Sequence, residues 1–137
     1  MRAIIAAAMM AFASTASAQD ATDKDYELRS DATTKQLKVG QEGAWGLQII
    51  AKNGFKVSDE TPLTATLSAP PGLTLKSTKL LRKDALDPKS KTPEWKVGLS
   101  AAKAGTYEIT ADLVFFLCTD KLCQRMTAKH LVSVSVK

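Results

Sequence analysis

The sequence predicts an all-β domain of two packed sheets of short antiparallel strands, and three observations predict it. Apolar and polar residues alternate at a period of two through most of the chain. Turn signals built on Gly, Pro and Asn-Gly recur about every ten residues. The i, i+3, i+4 spacing of an amphipathic helix is nearly missing.

The first eighteen residues stand apart from this pattern. Arg2 supplies a short positive start, residues 3–13 are apolar, and Ala16-Ser17-Ala18 is a small-residue cleavage site, the three parts of an export signal. The apolar run is too short for the roughly 20 residues of a membrane span. With no cysteine beside the cleavage site, no lipid anchor is expected. The mature chain is expected to begin at Gln19, as a bacterial periplasmic or secreted protein without membrane insertion. Cleaving eighteen of 137 residues leaves 119, one domain, and removing Arg2 takes the formal charge from +5 to +4. The lysines are scattered among acids, which describes a solvated surface rather than a nucleic-acid patch.

The elements follow in order. Residues 19–25 form a polar, flexible lead, and a single domain is expected over residues 26–137. Tyr26-Glu27-Leu28-Arg29 and Lys35-Gln36-Leu37-Lys38-Val39 alternate, and residues 40–43 break the chain. Trp45, Leu47 and Ile49 face one way, and Asn53-Gly54 predicts a hairpin turn into Phe55-Lys56-Val57. Leu63, Ala65 and Leu67 alternate with polar residues until Pro70-Pro71-Gly72 forces a corner, after which Leu73-Thr74-Leu75 resumes. Residues 79–93 read as a long polar surface loop with one helical turn around Asp84-Ala85-Leu86. Trp95, Val97 and Leu99 alternate, residues 103–106 turn the chain, and Tyr107, Ile109, Ala111, Leu113 and Phe115 line one face of a long strand. The last strand covers about Met126 to Val136. Seven or eight such strands argue an immunoglobulin-like β-sandwich with Trp45 and Trp95 in its core.

The chemistry narrows to Cys118 and Cys123, the only cysteines. They flank the turn Thr119-Asp120-Lys121-Leu122, where two hairpin residues oppose each other closely enough for a disulfide. Closing so short a loop removes little unfolded-state entropy, about 2 kcal/mol for roughly six residues. A bond placed for stability would tie distant strands, so the spacing points toward redox exchange or binding. Lys121 is the cation in the turn that favours a thiolate, and Asp120 opposes it or moves a proton. Ordinary turn chemistry also accounts for both residues.

Phe115-Phe116-Leu117-Cys118-Thr119-Asp120-Lys121-Leu122-Cys123, at the end of a long strand in an exported β-sandwich, resembles the N-terminal periplasmic domain of the thiol:disulfide interchange reductase DsbD. The resemblance implies a thiol-disulfide shuttle with Cys118 and Cys123 as the redox pair and a thioredoxin-like or other periplasmic thiol protein as partner. It also implies an aromatic cap over the cysteines, for which Phe55 is the candidate. Gln124, Arg125 and Met126 depart from the family's pattern after the second cysteine.

Two alternatives stay open. Cys118, Cys123, Met126 and His130 include soft ligands suited to copper(I), although Met126 and His130 lie roughly 13 Å apart along a strand. The second is a secreted immunoglobulin-like binding module with a structural hairpin disulfide, using residues 79–93 as its contact surface. No cofactor is expected. A single histidine, no Gly-x-Ser-x-Gly elbow and no glycine-rich phosphate loop leave thiol exchange as the one catalytic chemistry with its parts present.

Overall fold

The computed structural model describes residues 20–137. The expected export signal over residues 1–18 and the expected new terminus at Gln19 lie outside the described residues. Ten strands follow in order: β1 (Tyr26–Arg29), β2 (Gln36–Leu37), β3 (Glu42–Ala51), β4 (Lys56–Val57), β5 (Thr64–Ser68), β6 (Leu73–Leu75), β7 (Lys79–Leu81), β8 (Glu94–Ala101), β9 (Gly105–Cys118) and β10 (Cys123–Val136). Eight are three residues or longer. They form an immunoglobulin-like sandwich of one sheet ordered β1-β3-β8-β6 and another ordered β2-β10-β9-β5-β7, with β4 also on β9.

The period-two faces meet between the sheets. Trp45, Leu47 and Ile49 from β3 and Trp95, Val97 and Leu99 from β8 are buried against Ala65 and Leu67 from β5 and Ile109, Leu113 and Phe115 from β9. Each large apolar side chain sealed there contributes about 1.5–3 kcal/mol relative to exposure. The Trp95 indole N–H donates to the Leu81 carbonyl at 3.0 Å. Tyr107 anchors the sheet corner by donating its hydroxyl to the Lys103 carbonyl at 2.7 Å, the tyrosine-corner arrangement of such sandwiches. Gly72 lies against that ring with φ +101°, where an added Cβ would stand 2.8 Å from the tyrosine oxygen.

Four details depart from the sequence expectations. The Asn53-Gly54 turn has positive φ at both residues, 58° and 82°, as a tight hairpin turn requires. Yet β4 does not fold back into the sheet of β3. It pairs with β9 in the other sheet, beyond the stretch that β5 covers, which buries Val57 opposite Leu117. Residues 79–93 are not all loop, because β7 adds to β5 and buries Leu80, a segment too short for its alternation to register. A 3-10 turn at Arg82–Asp84 follows it, ahead of the helical turn expected at residues 84–86. The small strand β2 runs parallel to the end of β10, the exception to the antiparallel pattern.

Finally, the polar lead is tied down in part. Ala21 is buried, the Asp25 carboxylate accepts from the Thr22 amide at 2.8 Å, and Asn53 donates to Asp25 at 2.9 Å.

Candidate functional site

The strands β9 and β10 pair along their whole 14-residue length, and this hairpin carries the cysteines. Cys118 and Cys123 are its last register partners before the turn and are joined as a disulfide, with Cα atoms 4.0 Å apart. The turn is held by its own threonine: the Thr119 amide donates to the Leu122 carbonyl at 2.8 Å, and the Lys121 and Leu122 amides donate to the Thr119 hydroxyl. Asp120 and Lys121 are exposed at its tip.

Alternation puts the pair on the outer face of its sheet. Leu117 points into the core, so Cys118 points away from it, and on β10 the inward residues are Met126, Val132, Val134 and Val136. The two cysteines nevertheless differ in exposure. Cys118 is 2% exposed without belonging to the core cluster, because β9 is the middle of three strands here and is flanked by β4 and β10. Cys123 lies on one of the two outer strands and is exposed.

Three further groups gather at this end of the sandwich. Lys56 is the register partner of Cys118 on β4, as Cys123 is on β10. Directly opposed residues on one face of an antiparallel pair have Cβ atoms about 4.5–5.5 Å apart, so Lys56, Cys118 and Cys123 form one row across three strands. Gln124 clamps the lead: its side-chain oxygen accepts from the Ala21 amide at 2.6 Å and its side-chain nitrogen donates to the Ala21 carbonyl at 3.1 Å. Phe55, the sequence candidate for a cap, precedes Lys56 and packs against the core. It lines a depression of about 410 Å³ with Asp20, Thr22, Lys24, Asp25 and Asn53.

Met126 and His130 are not brought to the cysteines. Met126 is buried among the core residues opposite Phe115. His130 lies on the same face opposite Ala111, whereas the disulfide lies on the other face. The His130 Nε2 is buried without a hydrogen-bond partner among the described residues, and burial pushes the imidazole below its ordinary pKa. Sequence reading missed Lys56, since its link to Cys118 is a tertiary pairing. The one available signal was its place after the Asn53-Gly54 turn.

No family model matches the chain, and no curated protein does. The chain is similar to solved structures at low identity, each with a TM-score below 0.5. A conjugative transposon lipoprotein from Bacteroides eggerthii is 9% identical over 77% of this chain and 95% of that one, with a TM-score of 0.44. A cohesin module of a Clostridium perfringens family 33 glycoside hydrolase is 10% identical over 82% and 97%, with a TM-score of 0.45. The PapD-like domain 7 of human CEP192 is 11% identical over 95% and 98%, with a TM-score of 0.42.

Proposed function

We propose that this protein is an exported thiol-disulfide exchange domain in which Cys118 and Cys123 pass electrons to or from a thioredoxin-like thiol protein. The observation that carries the reading is the placement of the disulfide. It joins opposed residues of a hairpin already held by a continuous strand ladder, adds no tie between distant parts, and leaves one of its two cysteines exposed. Disulfides persist in oxidising compartments, in keeping with the export signal. The likeness of residues 115–123 to the DsbD N-terminal motif supports the same reading.

The exchange follows from the exposure of the two cysteines. A partner thiolate attacks the Cys123 Sγ, the Cys118–Cys123 bond breaks, and Cys118 leaves with the electron pair as a thiolate. The partner's second thiolate then attacks its own sulfur in the mixed disulfide and expels Cys123. Two electrons have moved from the partner dithiol, now a disulfide, to the cysteine pair. Run backwards with another protein's disulfide, the same steps pass the electrons on.

The test is equilibration of the mature protein with glutathione buffers followed by thiol trapping. A potential of roughly −120 to −230 mV, the range of exchange proteins, is the expected result. A value below about −300 mV is that of a structural disulfide. It would overturn the redox reading in favour of a secreted binding module.

A further inference from the structure

The buried position of Cys118 raises a chemical difficulty for exchange. A sulfur taken out of water holds a negative charge poorly, and a disulfide opens more slowly when its leaving thiol has a high pKa. The chain needs a positive charge beside Cys118, and the fold brings one from a strand remote in sequence.

The charged groups around the pair come from each element that flanks it. The turn supplies Asp120 and Lys121, opposite in sign and adjacent at its tip. Strand β10 supplies Arg125, two residues beyond Cys123 on the same face but in register with Phe116 rather than with Cys118. Strand β4 supplies Lys56, in register with Cys118 itself. Lys56 borders a depression of about 220 Å³ whose other charged residues are Asp59, Glu60, Lys89 and Lys91. The ion pairs among the described residues involve Lys52, Lys76, Lys129 and Arg29, so Lys56 has no carboxylate partner within salt-bridge distance there. Its orientation follows from its neighbour: Val57 is buried opposite buried Leu117, which turns Lys56 and Cys118 together to the outer face.

We infer that Lys56 is the positioning residue of the redox pair, its ammonium stabilising the Cys118 thiolate released when the Cys123 sulfur is attacked. Lys56 acts on the leaving group, and through it on the equilibrium between disulfide and dithiol. The role rests on the exchange reading above, but its test does not require that reading to hold.

The experiment uses the mature chain reduced with dithiothreitol. The pH dependence of alkylation is followed separately for each cysteine; cleavage after Lys121 puts the two on different peptides. Lys56→Met is expected to raise the Cys118 thiol pKa by about 0.5–1 unit, three- to tenfold less thiolate near neutral pH. Lys56→Arg is expected to restore the wild-type value. The difference should shrink in 1 M salt, because an exposed ammonium is screened. In glutathione buffer, Lys56→Met is expected to shift the disulfide-dithiol equilibrium toward the disulfide at pH values above the Cys118 pKa, where the thiolate is the reduced form, by up to about tenfold, which is about 30 mV more reducing.

An unchanged Cys118 pKa in Lys56→Met would overturn the inference, as would a shift confined to Cys123 or a failure of Lys56→Arg to restore it. A wild-type pair too reducing to exchange would overturn the redox function but leave the Lys56 effect on chemically reduced protein measurable. The two failures are therefore distinguishable.

Discussion

Reducing the Cys118–Cys123 disulfide is expected to cost the domain little stability, and the size of that cost follows from the topology. The bond closes a loop of about six residues, for which the chain-entropy relation gives about 2 kcal/mol at 25 °C, against about 4.7 kcal/mol for a loop of roughly 100 residues. The ladder from Cys118–Cys123 to Gly105–Val136 holds the same two strands without it. Through the thermodynamic cycle linking folding and reduction, 2 kcal/mol places the folded pair only about 40 mV more reducing than the same cysteines in the unfolded chain. The assay is urea denaturation of oxidised and reduced wild type, with the midpoint expected to fall by about 1 M at an m-value near 2 kcal/mol/M. The double substitution Cys118→Ala, Cys123→Ala should lose about 1 kcal/mol more, because the Cys118 sulfur is buried. Alanine serves better than serine there, since a serine hydroxyl would be buried at position 118. A loss above about 4 kcal/mol, or a reduced protein without a cooperative transition, would refute the reasoning and make the bond a staple.

Three further outcomes test the surrounding structure. Burial holds the His130 pKa below its unfolded value of about 6.5, so the unfolded chain binds the extra proton first. The histidine's contribution is therefore intact above pH 6.5 and is lost as pH falls through the folded pKa. Urea midpoints between pH 5 and 7.5 should show that loss in wild type and not in His130→Phe; Asp25 and Glu27, held below the usual carboxylate range by hydrogen bonds, titrate below this window. Buried Thr33 both donates to the Gly46 carbonyl and accepts from the Gly46 amide at 3.0 Å. Thr33→Val leaves that carbonyl and amide without a partner and should cost about 1–3 kcal/mol in a denaturant titration. Gly72→Ala meets both a left-handed φ and the Tyr107 hydroxyl, and a melting-temperature loss equivalent to about 1–3 kcal/mol is expected.

The existence of the longer strands was written locally. The alternation of Trp45, Leu47 and Ile49, or of Ile109, Leu113 and Phe115, needs no partner to be read, because one buried and one solvated face imprint a period of two on any strand. The cysteine hairpin was equally local, since four residues of turn separate its ends. The route of β4 was not local: Asn53-Gly54 specifies the turn but says nothing about which sheet the chain enters afterward. That choice was made by burial of Val57 against Leu117, some sixty residues away in sequence.

The sequence by itself determined an all-β sandwich, its core faces and a cysteine pair at a hairpin tip, because each depends on residues within a few positions of one another. Only the tertiary structure decided that β9 is the middle strand at that tip, that Cys118 is covered while Cys123 is exposed, and that Lys56 rather than Lys121 shares its row. Access and electrostatics around a sulfur depend on neighbours in space. Strand order, set by the sum of core burial across both sheets, is what brings them there.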